Sequence, residues 1–475
     1  VGTIARFVQF ICGRAALTVA LRKTKNNMRK LLWILLLCVP VTAIGQNGDT
    51  VRVWSLKDCI DYAMENNIQL RQSRNEYLSG MEDTRQAKAA ILPSLSASTS
   101  QSLSNYPSND VSDNNMYTGS YNLNARMSLF QGGSLATAVK QGKVQNEIDL
   151  LSIEETANDI RTAIIEAYMQ CLYADESVTV ARSTADASKA QRDRAEEMWK
   201  AGSISKVDFA QLESQWMSDE YQVVSAQTSL DNYRLQLKQL LELDIMEEMN
   251  LAGPEVSDVQ VMSVLPSKTD VYAAALSAMP EVERGRLSVK AAELGIKQAR
   301  SGFFPTLSLS AGVGTAFMSA TGAGTATGST PGYHSGNQYW NNFNENIGLS
   351  LSIPIYSNRQ TRTAVNKARL EAENSRLEQL NIEKQLLQEV ESAYLNAVSY
   401  QARYTAALKQ QEYARESYEL TYEQFSLGVK NTVELITAQN ELTVAEQEAL
   451  QAKYMTLLNM ELLNIYQGKE IQGEY

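Results

Sequence analysis

From about Ser134 to Lys200 and from Gln360 to Ser426, apolar residues recur three and four apart among alanine, leucine and glutamate, as in Ile160, Ala163, Ile164, Ala167 and Tyr168. That period is helical. No proline falls in residues 108 to 253 or 355 to 475, so nothing there forces a break. At 1.5 Å per residue a helix of about 67 residues is roughly 100 Å long, which no single globular domain needs. Gly202 and Gly428 end the two runs, and Ser205-x-x-Asp208 and Asn431-x-x-Glu434 restart them as capped helices. Each run is therefore read as one arm of a hairpin that returns to about residue 242 or 466.

Elsewhere the period switches to two. Ser55-x-x-Asp58 and Ser267-x-x-Asp270 mark helix starts, and Pro93 and Pro305 end those helices. Strands are predicted at about 94–104, 117–129, 306–317 and 343–355. Leu95, Ala97 and Leu103 alternate with serines; Tyr121, Leu123, Ala125, Met127 and Leu129 alternate with Ser120, Asn122, Asn124, Arg126 and Ser128. In the later pair Leu307, Leu309, Ala311, Val313 and Phe317 share a face, as do Phe343, Ile347, Leu349, Leu351 and Ile353. Strands of about ten residues with one apolar and one small-polar face fit a transmembrane barrel with a wet lumen. A soluble four-stranded sheet with one exposed face gives the same alternation. Four strands cannot close a barrel and open edges are not tolerated in lipid, so the membrane reading requires oligomerisation.

The whole pattern occurs twice. Residues 55–98 map onto 267–310 and residues 129–240 onto 355–466, through pairs such as Asp58/Asp270, Pro93/Pro305, Tyr168/Tyr394 and Gly202/Gly428. The offset changes by 14 where the second copy carries a longer Gly/Ser/Thr/Asn-rich stretch, 319–342, which is read as a surface loop. The expected divisions are an upstream extension and signal peptide at 1–45, helices at 46–93, a strand pair at 94–130, a hairpin at 131–242 and an equatorial segment at 243–268. The second copy follows as helices at 269–305, a strand pair with its loop at 306–356, a hairpin at 357–467 and a tail at 468–475.

Charge and composition narrow the setting. Residues 31–39, LLWILLLCV, follow Met28-Arg29-Lys30 and precede small residues. This is the layout of a secretory signal, too short to span a bilayer, with Met28 the expected start. Leu36 and Leu37 are bulky where a lipidated cysteine at Cys38 would need small residues. The net charge is −11, and residues 1–45 hold seven basic residues and no acidic one, leaving about −18 for the remainder. So acidic a chain has no footprint for nucleic acid. Cys59 and Cys171 lie on apolar helical stripes and are read as buried small hydrophobes.

Candidate catalytic chemistry is missing. The one histidine, His334, sits in the loop GSTPGYHSGNQ, which excludes a histidine-based triad or a multi-histidine metal site. GAGTATGS at 322–329 lacks a Walker lysine and leads into no capped helix. No cofactor is expected.

A duplicated unit of helix, strand pair and long hairpin behind a signal peptide resembles the TolC family of outer-membrane efflux proteins. The order of elements, both prolines, the ends SLF at 128–130 and SIPIYSN at 352–358, and both glycine tips carry the resemblance, which runs from Trp54 to Gly468. It implies an α+β membrane protein in which each chain forms one third of a homotrimer: a 12-stranded β-barrel in outer-membrane lipid, continued by a long α-helical periplasmic barrel. Residues 243–268 and the C-terminus would form a belt around the helices. Members serve as passive exit ducts of tripartite efflux or type I secretion systems, joined to an inner-membrane transporter by a periplasmic adaptor protein. By resemblance the adaptor meets the tips, here Gly202, Ser203 and Ile204, and Gly428 and Val429. The family's periplasmic gate falls on Lys430, Glu434 and Asp208, with Thr437 replacing a second gating carboxylate. Asp208 and Glu434 also occupy capping positions, and capping alone would explain them. Of two functional readings, transport duct and static trimeric coiled-coil adhesin, the two folded-back hairpins favour the duct.

Overall fold

The computed structural model describes residues 53–105, 115–246, 248–253, 261–320 and 335–469, all within one unit, Val53–Tyr475. The signal segment, Met28, Cys38, His334 and the run GAGTATGS lie outside the described residues, as do parts of the equatorial segment and tail.

The first copy runs β1 (Val53–Trp54), α1 (Leu56–Asn66), α2 (Ile68–Ala89), β2 (Ser94–Asn105), β3 (Asn115–Gln131), α3 (Ser134–Lys200) and α4 (Lys206–Leu240). After β4 (Asn250–Leu251), the second runs α5 (Lys268–Ala278), α6 (Pro280–Arg300), β5 (Thr306–Ala320), α7 (Ser335–Asn341), β6 (Asn344–Ser352), α8 (Gln360–Ser426) and α9 (Thr432–Tyr466). The long arms α3 and α8 are each 67 residues and the return arms α4 and α9 each 35. The duplication is thus kept to the residue in the hairpins.

Local chemistry sets the helix ends. Ser55 and Asp58 form a reciprocal capping box, while Ser267 accepts from the Asp270 amide. α2 and α6 stop four and five residues before Pro93 and Pro305, because the residue before proline is pushed out of the helical region.

The four longer strands form one antiparallel sheet in the order β2-β3-β5-β6, so its central ladder joins the two copies. The register places Leu95, Ala125, Ala311 and Ile347 in one row and Ala97, Leu123 and Val313 in the next. The apolar face is bare: Ile347 is 82% and Leu349 65% exposed. The strands carry two charges, Arg126 on the polar face and Glu345 on the apolar one.

Three local features differ from the sequence expectation. A bulge between Ser128 and Phe130 leaves Leu129 without a cross-strand partner, so Phe130, opposite Leu307, continues the apolar face. β6 ends at Ser352, since Pro354 has no amide for the ladder. Part of the expected loop 319–342 is helix α7, which covers the edge of β5 beyond the end of β6. There the Gln338 side chain accepts from the Met318 amide at 2.8 Å and donates to its carbonyl at 2.9 Å, and Asn342 donates to the Ala316 carbonyl at 2.6 Å.

The main core lies where α1, α3 and α9 meet the short β1–β4 ladder. Tyr168 is fully buried, and its hydroxyl donates toward the carbonyls of Trp54 (3.3 Å) and Ala252 (2.9 Å). Cys59 and Cys171 are buried free thiols in this core, as the apolar stripes predict. Burial pushes the Cys171 thiol up to about 12.

Candidate functional site

Both hairpins turn by the same device. At the first tip Gly202 has φ +76°, with Ser203 N–H donating to the Met198 carbonyl at 2.8 Å and Gly202 N–H to Trp199 at 2.9 Å. At the second Gly428 has φ +74°, with Val429 N–H donating to Gln424 at 2.9 Å and Gly428 N–H to Phe425 at 3.0 Å. This doubly bonded stop needs a left-handed residue, which glycine supplies without strain. The bonds leave side chains outside the turn: Val429 is 72% and Leu427 78% exposed, and Ser203 is exposed. Ile204 instead folds inward, onto a small core of Ala195, Leu212, Phe425 and Leu435 that ties the tips together.

The four candidate gate residues separate into three settings. Lys430 Nζ donates to Glu434 Oε1 at 2.6 Å, and the Asn431 amide donates to Glu434 Oε2 at 3.1 Å, while Asn431 Oδ1 accepts from the Glu434 amide at 2.9 Å. The Lys430 ammonium, then the Asn431 amide, hold the Glu434 carboxyl below its ordinary range. Asp208 closes the box with Ser205, whose hydroxyl donates to Oδ2 at 2.7 Å. Its other oxygen accepts from Thr432 Oγ of the second hairpin at 3.4 Å. Thr437 joins neither group; its hydroxyl donates back to the Val433 carbonyl at 2.8 Å.

About two turns further from the tips lies a buried polar cluster that sequence reasoning missed. Ser188 of α3 donates to Asp219 of α4, and Gln439 of α9 donates to Ser188 Oγ at 2.5 Å. Gln215 donates to the other Asp219 oxygen at 3.0 Å. Asp219 is 7% exposed, and burial holds its carboxyl above the ordinary range against the lowering effect of Ser188 and Gln215. No sequence signal links these residues, which come from three helices.

A bare-faced antiparallel sheet on two 67-residue helical arms is the fold of an outer-membrane channel of the efflux type, and relatives agree. Residues 59–242 and 271–465 match the outer membrane efflux protein family, and the chain belongs to it. It is 24% identical over 424 residues to outer membrane protein TolC of Escherichia coli (strain K12), covering 86% of this chain and 81% of that protein. It is 23% identical over 423 residues to alkaline protease secretion protein AprF of Pseudomonas aeruginosa, covering 87% and 84%. The Campylobacter jejuni CmeC outer membrane channel superposes with a TM-score of 0.72 at 17% identity, over 88% of this chain and 87% of that one. The resemblance to the TolC family is thereby borne out, and the adhesin reading has no support.

Proposed function

We propose that the chain is one third of a homotrimeric duct that passively conducts substrates, expelled by an inner-membrane transporter, through the periplasm and across the outer membrane. One observation carries the reading: a four-stranded sheet, exposed on its apolar face and, among the described residues, unpaired at the outer edges of β2 and β6, is continuous with two hairpins of about 100 Å. Lipid covers the face, and pairing of β6 with β2 of the next copy removes the edges. Residues 94–130 and 306–356 then supply the barrel, 131–242 and 357–467 the duct, and 243–268 with the tail a belt around it. The exposed Ser203, Leu427 and Val429 suit a periplasmic adaptor, and the Lys430–Glu434 pair, with Asp208, suits the constriction. The names of the relatives, which speak of protease secretion and of toxin and drug export, support an exporter of one of these kinds.

Purified protein in a planar bilayer tests the proposal. Trimers giving discrete single-channel steps are expected; a monomer that never partitions with outer membranes and never conducts overturns it.

A further inference from the structure

At the hairpin side of the sheet, the four helices that lead into or out of it, α2, α3, α6 and α8, are purely basic at their near ends. The C-terminal ends of α2 and α6 carry Arg85 and Lys88, and Lys297 and Arg300. The starts of α3 and α8 carry Lys140 and Lys143, and Arg359, Arg362, Lys367 and Arg369. All ten are exposed, and no aspartate or glutamate occurs in residues 84–89, 134–146, 294–300 or 359–370. Among the described residues only Arg85 is ion-paired, with Glu82. In a chain of net charge −11 this is a local reversal of sign. The carboxylates resume together further along, at Asp83, Glu147, Glu293 and Glu371.

Helix electrostatics accounts for part of this. Cations at the C-terminal ends of α2 and α6 complement the macrodipole. Arg359 and Arg362 sit at the opposite pole, where carboxylates are favoured, and the first turns of α3 and α8 contain none. The duplication sharpens the point: Arg85 corresponds to Lys297, Lys88 to Arg300 and Lys143 to Arg369. At these three pairs arginine and lysine are exchanged while the charge stays, whereas Lys140, Arg359, Arg362 and Lys367 align with uncharged residues. Because the two differ in bonding geometry, what those three pairs retain is positive charge, which suits a diffuse anionic partner.

The band lies within about 15 Å of the sheet, at 1.5 Å per residue. Between it and the apolar face stand exposed Phe303, Phe304 and Tyr356, with exposed Phe130 at the near end of that face, rings of the kind that settle at headgroup level. We propose that the band binds the anionic phosphate headgroups of the periplasmic phospholipid leaflet against the base of the barrel. The inference rests on the barrel reading of the sheet, and continuity with that lipid-facing surface selects the occupant.

The test reconstitutes the full chain into vesicles of phosphatidylethanolamine, alone or with about one third phosphatidylglycerol, and measures the lipid retained on detergent extraction. Enrichment of phosphatidylglycerol is expected for the wild type and for K143R/R369K, with about a tenfold loss of enrichment in K140Q/K143Q/R362Q/R369Q. In the wild type itself, raising salt from about 0.1 M to about 1 M shrinks the Debye length from about 10 to about 3 Å and should abolish enrichment even if the quadruple variant fails to assemble. A conducting wild type that retains lipid in the bulk ratio, enrichment that survives the high salt, or equal enrichment in an assembled quadruple variant overturns the band alone. Failure to insert or conduct in either vesicle overturns the barrel reading and the band with it.

Discussion

Both oxygens of Glu434 are engaged within its own chain, one by Lys430 and one by the Asn431 amide, so its charge and its capping role can be separated by substitution. Glutamine keeps the capping bond. Glu434→Gln should leave the thermal midpoint of detergent-solubilised protein nearly unchanged while altering cation selectivity and multivalent-cation block of single channels; unaltered selectivity would leave Glu434 as a cap only. Because the folded state depresses this carboxyl, its contribution is fully present above the unfolded value of 4.5 and lost as pH falls through the lower folded value. Amide protection at the start of α9, taken relative to the intrinsic exchange rate at each pH, should therefore fall below about pH 4.5 in the wild type but stay level in Glu434→Gln. Asp219 has the opposite sign: burial raises it, so the ionised form is a cost at neutral pH that is relieved as pH falls through the folded value. Asp219→Asn should hold or raise stability at pH 7, whereas Asp219→Leu strands Ser188 and Gln439 and should cost about 1–3 kcal/mol. Equal thermal midpoints for the two variants would dismiss the cluster as a structural joint. At the tips, bulky residues at Ser203 or Val429 spare the turn, so loss of adaptor crosslinking and efflux would identify the contact, and retention of both would reject it.

Among the elements, the strands make the sharper test. Leu349 lies on the exposed apolar face and Asn124 on the polar one. Leu349→Arg should cost about 2–4 kcal/mol if its row sits near the bilayer midplane, and should lower the yield of assembled protein. Asn124→Arg should not, and equal tolerance of both would remove the barrel. The long helices were legible in sequence to within a residue, because period and the absence of proline act over dozens of positions. The short features were not. Leu129 and Phe130 are adjacent apolar residues, so the composition conceals which of them the bulge sets aside. Helix α7, of seven residues, is too short to be stable alone; Gln338 and Asn342 fix it to β5 by contacts that no local pattern announces. At the candidate gate the capping boxes were readable from spacing, but the Thr432–Asp208 contact and the Ser188–Asp219–Gln439 cluster join residues from separate helices.

For the molecule as a whole, equal arms set the tips level: 67 and 35 residues recur in both hairpins. Deleting seven residues from α3 and from α4 alone would draw one tip back by about 10 Å. Export should fail while outer-membrane protein still accumulates, and export at the wild-type level would show that the tips need not be level. The central ladder has a consequence in time. It pairs Met116 with Ala320 and Gln131 with Thr306, so each half of the chain holds one side of a seam that neither half can close. During export the N-terminal strands arrive first and must wait, greasy on one face and unzipped along one edge, until the rest of the chain follows. Such delays are slow and aggregation-exposed. The sheet that suits this protein to its final place is therefore its period of greatest danger on the way there, and a holding chaperone would matter most in the interval between the two halves.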